Sequence, residues 1–319
     1  MNALLAITLT ILNTVVPLAG VGNLKAVVTI PEGAGKKPAL LLAGWLSCDS
    51  VASTDENDGF VRFLDGVAKH SNFVFMRVDK PGVGGSEGNC AATDFQTELA
   101  GYRAAWKQLA SMPQVDASKM FVIGLSNGGG FAPLVPTEPR AAGFISISGW
   151  GRTWFEHMMS FERRRLTLSG AAPAEISKRM KATARFYDEY LNKRRSPAEI
   201  VKAEPDLAIA WEGSTATQYG RPPAFYQQLQ QLNLADAWCA VDVPSLVIHG
   251  GQDWIMDNDD VSPIAQCVAA HGKFEELPKM DHFFFDHDSM AASFQSRGPK
   301  QFDSRSVDIV VDWLQHNSR

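Results

Sequence analysis

Short apolar runs alternate with amphipathic segments along most of the chain, and this alternation predicts a layered α/β structure. Continuous apolar runs are typical of strands that are buried on both faces of a sheet, and strict alternation is typical of half-buried strands. The segments with a strand pattern are 7–11, 38–45, 73–78, 120–123, 144–148, 245–248 and 274–277. Apolar residues at helical spacing predict helices over 60–67 and 307–314. A further helix is predicted to begin at a capping box formed by Thr93 and Gln96. We therefore predict a mostly parallel sheet with helices packed against it.

The segment from about 150 to 240 departs from this alternation. It has no convincing strand pattern and is rich in charged and aromatic residues. Ser196, Pro197 and Glu199 stand in the order of N-cap, first helical position and capping-box acid. We predict a helical insert over a core sheet, which divides the chain into core residues 1–149, the insert 150–240 and core residues 241–319.

The first residues allow two interpretations. Residues 3–12 are apolar enough for the centre of a signal peptide, but no Lys or Arg precedes them and no clean small-x-small cleavage site follows. Ile7, Leu9 and Ile11 alternate with threonines, which favours a first strand.

Composition narrows the classes of function. The chain has 319 residues, 45% of them hydrophobic, and a formal net charge of -5. The run Arg163, Arg164 and Arg165 fits a solvated helix face, so we expect no nucleic-acid partner. No stretch approaches the roughly 20 apolar residues of a membrane span. Oligomeric state stays open.

A candidate nucleophile lies in the motif G-x-S-x-G, which occurs twice. The copy at 124–128 follows the strand 120–123 directly and is rich in glycine, as a strand–turn–helix nucleophile elbow requires. The copy at 84–88 follows Pro81 and Gly82 in a loop, with no helix until Thr93. We predict that Ser126 is the nucleophile and that Ser86 is a decoy.

A serine hydroxyl needs a base, and the base needs an orienting acid. Asp253 comes just after the strand 245–248, where a side chain points into the crevice above a parallel sheet. The rival carboxylates lie farther along and are expected to cap the next helix; they are Asp257, Asp259 and Asp260. His282 follows the strand 274–277 after a short loop, in the chain order serine, acid, histidine, with His287 as the runner-up.

An oxyanion needs two fixed backbone N–H donors. Asn127, directly after the nucleophile, is the first candidate. Trp45, in the loop after the strand 38–45, is the second, with Leu46 as its alternative.

The motifs together resemble those of bacterial α/β hydrolases, the broad group of esterases, thioesterases and serine peptidases. The resemblance rests on the segments 79–88, 124–129, 247–253 and 281–283 and covers nearly the whole chain. It implies the α/β-hydrolase fold, with a mostly parallel eight-stranded sheet, helices on both faces, and a helical cap inserted after the sixth strand. Ala43-Gly44 stands where many relatives have His-Gly, which weakens the choice of Trp45.

The resemblance also bears on the cysteines, whose spacing fits no zinc site. It implies that Cys48 can approach Cys90 and that Cys239 can approach Cys267, so that two disulfides are possible. Pairing, or a removed signal peptide, would favour a periplasmic or secreted protein, whereas a native Met1 favours the cytoplasm.

These observations predict a serine hydrolase that cleaves a carboxylic ester or thioester of a partly apolar small molecule. The same triad could instead cleave an amide or transfer the acyl group, and an inactive ligand-binding protein is the non-enzyme alternative. No cofactor or metal is expected, because none of the metal-binding or nucleotide-binding motifs is present.

Overall fold

A computed structural model describes residues 7–211, 214–296 and 301–319. Its centre is an eight-stranded sheet in the order β1-β2-β4-β3-β5-β6-β7-β8, in which β1 and β2 are antiparallel and β3 to β8 are parallel. The strands are β1 Leu9–Leu18, β2 Gly22–Pro31, β3 Lys37–Ala43, β4 Val74–Val78, β5 Val115–Leu125, β6 Gly143–Ile147, β7 Ser245–Gly250 and β8 Gly272–Leu277. The predicted α/β-hydrolase fold with eight strands is confirmed.

Helices cover both faces of this sheet. Outside the β6–β7 connection they are α1 Gly59–His70, α2 Phe95–Ser111, α3 Asn127–Phe131, α9 Asn258–Cys267, α10 Met290–Gln295 and α11 Arg305–Asn317. Helices α1 and α11 bury their apolar sides on one face, whereas α2 and α9 bury theirs on the other. A small hairpin pairs β9 Phe285–Asp286 with β10 Gln301–Phe302.

The described part of the connection between β6 and β7 contributes five α-helices. They are α4 Trp154–Leu168, α5 Pro173–Tyr187, α6 Pro197–Ala203, α7 Pro223–Gln230 and α8 Leu234–Cys239. Ser196 caps α6 with the capping box that its sequence predicts. We keep the name insert for residues 150–240.

Two local expectations need correction. The sequence pattern did not indicate β2, in which Leu24, Ala26 and Val28 face the core. The N-cap of α2 is Asp94 and not Thr93, because the Asp94 carboxylate accepts the Thr97 N–H at 2.8 Å. Thr93 instead donates its hydroxyl to the Asn89 carbonyl.

At the N-terminus, β1 extends the predicted strand to Leu18. Residues 1–6, which include the start of the signal-peptide alternative at 3–12, lie outside the described residues. Disulfides join Cys48 to Cys90 and Cys239 to Cys267. None of the helices in the described ranges is long and apolar enough to cross a membrane.

Candidate active site

Ser126, Asp253 and His282 meet at the carboxyl edge of the sheet. They follow β5, β7 and β8, and parallel strands bring such loop residues to one edge. His282 Nε2 lies 3.0 Å from Ser126 Oγ, and His282 Nδ1 lies 2.8 Å from Asp253 Oδ2. All three side chains are buried. The geometry is that of a hydroxyl, a base and an orienting acid in a continuous hydrogen-bonded row.

The backbone at Ser126 is strained, as a nucleophile elbow requires. Its φ of 55° and ψ of -120° lie outside the regions that most residues with a Cβ adopt. The Ser126 N–H donates to the Ile147 carbonyl at 2.9 Å, which ties the turn to β6. Gly128 is required two residues later, because a Cβ there would collide with the carbonyl of Ala43 at the end of β3. The elbow and the loop after β3 can therefore approach each other closely.

The acid and the base shift each other's protonation. Burial by itself raises the pKa of Asp253, but His282 and the backbone N–H of Met256 outweigh it and hold that pKa below its ordinary value. Burial lowers the pKa of His282, and the facing Asp253 carboxylate outweighs this and raises it above 6.5. Asp253 therefore stays ionised and favours the protonated imidazole.

Neither the Asn127 N–H, directly after Ser126, nor the Trp45 N–H, in the loop after β3, has a hydrogen-bond partner among the described residues. Gly44, just before Trp45, donates its N–H to the Tyr102 hydroxyl at 3.1 Å and is thereby excluded as a donor. Leu46, the alternative to Trp45, likewise has no N–H partner among the described residues. The structure leaves both alternatives for the second donor open.

The alternative candidates for the nucleophile, the base and the acid make contacts elsewhere. Ser86 Oγ accepts the Lys25 N–H at 2.7 Å, in a loop beside β2. His287 pairs with Asp281 at 3.0 Å. Asp257 caps α9 and accepts the Asp260 N–H, and Asp260 binds Arg152 and His157. Asp259 is exposed.

Some residues around the site were not indicated by the sequence. The Asp281 carboxylate accepts the N–H groups of Phe283 and Phe285 at 2.8 and 2.9 Å, and so shapes the loop that carries His282. Arg221, from the insert, and Glu98, from α2, form a buried ion pair. They are 123 residues apart in sequence, and no local pattern could have paired them.

The described residues also form a cavity outside the Ser126, Asp253 and His282 cluster. This cavity of about 480 Å³ is lined by residues that include His249, Gln252 and Glu276 but not Ser126 or His282. Over the described ranges, no group of three or more His, Cys, Asp or Glu side chains is arranged to hold a metal ion.

The fold places the chain among the α/β-hydrolase-fold serine hydrolases. More narrowly, residues 60–288 match the model of the family described as Serine aminopeptidase, S33, and the chain belongs to this family. No curated protein matches it in sequence.

Solved structures with a similar fold include esterases. A thermophilic and thermostable carboxylesterase cloned from a metagenomic library, EstE1, is 19% identical with a TM-score of 0.59, over 99% of this chain and 92% of that one. The esterase domain of a Rhodothermus marinus protein is 15% identical with a TM-score of 0.57, over 96% and 98%. Est1E from Butyrivibrio proteoclasticus, with ferulic acid bound, is 13% identical with a TM-score of 0.56, over 95% and 96%. At these identities the likeness concerns the fold.

Proposed function

We propose that this protein hydrolyses a carboxylic ester or thioester through an acyl-enzyme on Ser126. The observation that carries the proposal is the hydrogen-bonded row from Ser126 Oγ through His282 to Asp253, with distances of 3.0 and 2.8 Å. In a row of this kind the imidazole accepts the hydroxyl proton while the oxygen attacks, and the carboxylate stabilises the imidazolium that forms.

The reaction has two halves. Ser126 Oγ adds to the acyl carbon, the carbonyl electron pair moves onto its oxygen, and the proton passes to His282. The Asn127 N–H, with that of Trp45 or Leu46, stabilises the resulting oxyanion. The oxyanion then re-forms the carbonyl, the bond from the acyl carbon to the alcohol oxygen or thiol sulfur breaks, and this leaving atom takes the proton from His282. Water attacks the acyl-enzyme in the same way and gives its proton to His282, and the acid leaves as the bond to Ser126 Oγ breaks and the oxygen regains the proton.

Aromatic side chains beside the base support a partly apolar substrate. Phe283 is 40% exposed as a residue, and its ring lies edge-on to the His282 ring, with centroids 5.5 Å apart. Phe60 contacts both rings, at 6.2 Å from His282 and 6.0 Å from Phe283. An exposed phenyl surface next to the reacting groups favours an apolar portion of the substrate over a charged one.

Amide cleavage is the second candidate, because the family description names an aminopeptidase. Hydrolysis rates with p-nitrophenyl esters, acyl thioesters and aminoacyl amides at matched concentrations separate the two. The ester proposal expects the largest kcat/KM for an ester or thioester. A larger kcat/KM for aminoacyl amides would replace it with peptidase activity.

The two G-x-S-x-G motifs provide a matched test of the nucleophile. A fluorophosphonate probe should label the wild type and Ser86→Ala, but not Ser126→Ala, which should also lose about 10⁴-fold or more in kcat. Mass spectrometry of the labelled peptide gives the modified serine. Labelling at Ser86, or no labelling of the folded wild type, would contradict the proposal, and the second result would favour an inactive binding protein.

A further inference from the structure

We propose that Arg221 is a positioning residue for the oxyanion loop, which we define as residues 44–48 after β3. Through this one side chain, the seating of the insert on the core would control whether the Trp45 or Leu46 N–H is correctly placed for catalysis. The inference rests on the proposed function, since it concerns the same oxyanion hole.

The contact between Arg221 and the loop is direct. Arg221 Nε donates to the Leu46 carbonyl at 3.0 Å, and the same guanidinium is ion-paired with Glu98 of α2. The Arg221 side chain is 0% exposed. A guanidinium is planar and presents its donors in a rigid fork, so pairing with Glu98 fixes the direction in which Nε points. Leu46 is therefore held by a group that cannot easily turn away.

The rest of the loop is attached to the core. Gly44 donates to the Tyr102 hydroxyl at 3.1 Å, and Lys80 Nζ donates to the Ser47 carbonyl at 2.6 Å. Cys48 is joined to Cys90 by a disulfide. The core thus fixes both ends of the loop, whereas the insert fixes Leu46 in the middle. The two candidates for the second oxyanion donor, Trp45 and Leu46, lie between these attachments.

Arg221 is in turn fastened to the insert helices. A tight turn pairs the backbones of Gln218 and Arg221 through two hydrogen bonds of 2.9 Å. The Gln218 side chain donates to the Tyr187 hydroxyl of α5 at 2.7 Å, and the Tyr226 hydroxyl of α7 donates to the Gln218 carbonyl at 2.6 Å. Movement of α5 and α7 would therefore move this turn.

Separation of the insert from the core would break two contacts at once. The Leu46 carbonyl would lose its donor, and the buried Glu98 carboxylate would lose its ion-pair partner, which is energetically costly. The ion pair therefore favours the seated insert, and the seated insert is the state in which the loop is held. This geometry couples the seating of the insert on the core to the completion of the oxyanion hole.

The test compares Arg221→Met and Arg221→Lys with the wild type, with active sites counted by fluorophosphonate titration. We expect Arg221→Met to lose about 10- to 100-fold in kcat with little change in KM, because a misplaced oxyanion donor affects the transition state more than the bound ester. Arg221→Lys keeps a charge and a donor and should recover part of this loss.

A trifluoromethyl ketone provides an independent measurement. Ser126 Oγ adds to its carbonyl carbon, the electron pair moves onto the oxygen, and the serine proton passes to His282, which creates an oxyanion in the hole without turnover. Its affinity should fall in Arg221→Met by the same factor as kcat/KM. A residue that only stabilises the fold would lower the melting temperature and leave this affinity and the kcat per titrated site unchanged.

The matched control is Arg152→Met. Arg152 is also a mostly buried, ion-paired arginine of the insert, but its partner is Asp260, at 2.6 Å, and not the oxyanion loop. It should lose stability and keep kcat per titrated site. If Arg221→Met behaves like Arg152→Met, the inference is overturned.

Two further results are decisive. If Arg221→Met does not fold, Glu98→Gln takes its place, because it removes the charge that holds the guanidinium and keeps the side-chain volume. Glu98→Gln must then show the same selective loss of kcat and of inhibitor affinity. Normal kcat in folded Glu98→Gln and Arg221→Lys would overturn the inference. A wild type that is neither labelled nor active overturns the proposed function as well, whereas a labelled, active wild type with unaffected variants overturns the role of Arg221 alone.

Discussion

Asp253 uses its two carboxylate oxygens for different partners. Oδ1 accepts the backbone N–H groups of Ile255 and Met256 at 2.9 and 2.8 Å, and Oδ2 faces His282 Nδ1. The loop therefore fixes the carboxylate before it meets the imidazole. This arrangement favours the tautomer with hydrogen on Nδ1, which leaves Nε2 free to accept the proton of Ser126.

The variant Asp253→Asn should reverse that tautomer. The asparagine oxygen would stay on the two N–H donors, so its amide group would face Nδ1 and favour hydrogen on Nε2. We expect kcat to fall by about 10³- to 10⁴-fold, with thermal stability much less affected. Asp259→Asn, which removes an exposed rival carboxylate, should keep wild-type activity. Ester hydrolysis rates compare the three proteins.

The Asp253→Asn variant should also shift the pH dependence of kcat/KM in a predictable direction. In the proposed mechanism neutral His282 is the reactive form, and the Asp253 carboxylate raises the pKa of His282 above 6.5, so wild-type kcat/KM should rise with pH through a value above 6.5. Without that charge, the rise for the residual activity of Asp253→Asn should occur at lower pH. If the rise in kcat/KM occurs at the same pH in Asp253→Asn as in the wild type, a group other than His282 governs the rise.

At the scale of the elements, the sequence predicts the strands that are buried on both faces and misses one that is not. The runs in β3 and β4 stand out because all residues of 39–43 and 74–78 are buried. In β2, exposed Lys25 interrupts the run, and the apolar Val27 weakens the alternation. A half-buried strand near a sheet edge gives such a weak pattern.

The candidate triad could be predicted from the sequence because the predicted sheet is mostly parallel. Parallel strands carry their loop residues to one edge, so chain order after β5, β7 and β8 suffices to bring Ser126, Asp253 and His282 together. The contact of Arg221 with Leu46 spans 175 residues and depends on how the insert lies on the core. No periodicity or motif encodes that placement.

The two disulfides give a prediction at this scale. Their half-cystines are 42 and 28 residues apart, so each cross-link should contribute roughly 4 kcal/mol to stability by the loop-entropy relation. The double variant Cys239→Ser/Cys267→Ser should lose stability and keep kcat. Cys48→Ser/Cys90→Ser should also lose kcat, because Cys48 belongs to the oxyanion loop. Urea unfolding measures the stability of each double variant, and ester hydrolysis measures its kcat. Equal kcat in the two double variants would contradict the expected effect of the Cys48–Cys90 disulfide on the oxyanion loop.

At the scale of the whole molecule, the insert shares its core with one face of the sheet. One buried cluster contains Leu41 and Val122 of the sheet together with Trp154, Phe186 and Tyr226 of the insert. The opposite face has a separate cluster with α1 and α11. Because this cluster joins the described part of the insert to the sheet, we expect the insert to fold together with the body of the protein.

One polar junction between insert and core supports this view. Asp260 of α9 is 0% exposed and binds Arg152 at 2.6 Å and His157 of α4 at 3.1 Å. Burial alone raises its pKa, but His157 and then Arg152 outweigh burial and hold that pKa below the ordinary value of 3.8. The charged form is therefore the one that the folded state stabilises.

The stability of the Asp260→Asn variant should depend on pH in the corresponding way. A carboxyl group whose pKa is lower in the folded than in the unfolded state stabilises the fold above pH 3.8, and this contribution disappears as pH falls through the folded-state pKa. We expect the variant to lose roughly 3 kcal/mol at pH 7, with the difference from wild type shrinking below about pH 4. Asp242→Asn, which removes an exposed partner of Arg140, should change stability little at any pH. Urea unfolding at pH 7, 5, 4 and 3 measures the difference, and a gap between Asp260→Asn and wild type that stays constant down to pH 3 would show that the Asp260 charge does not hold the insert on the core.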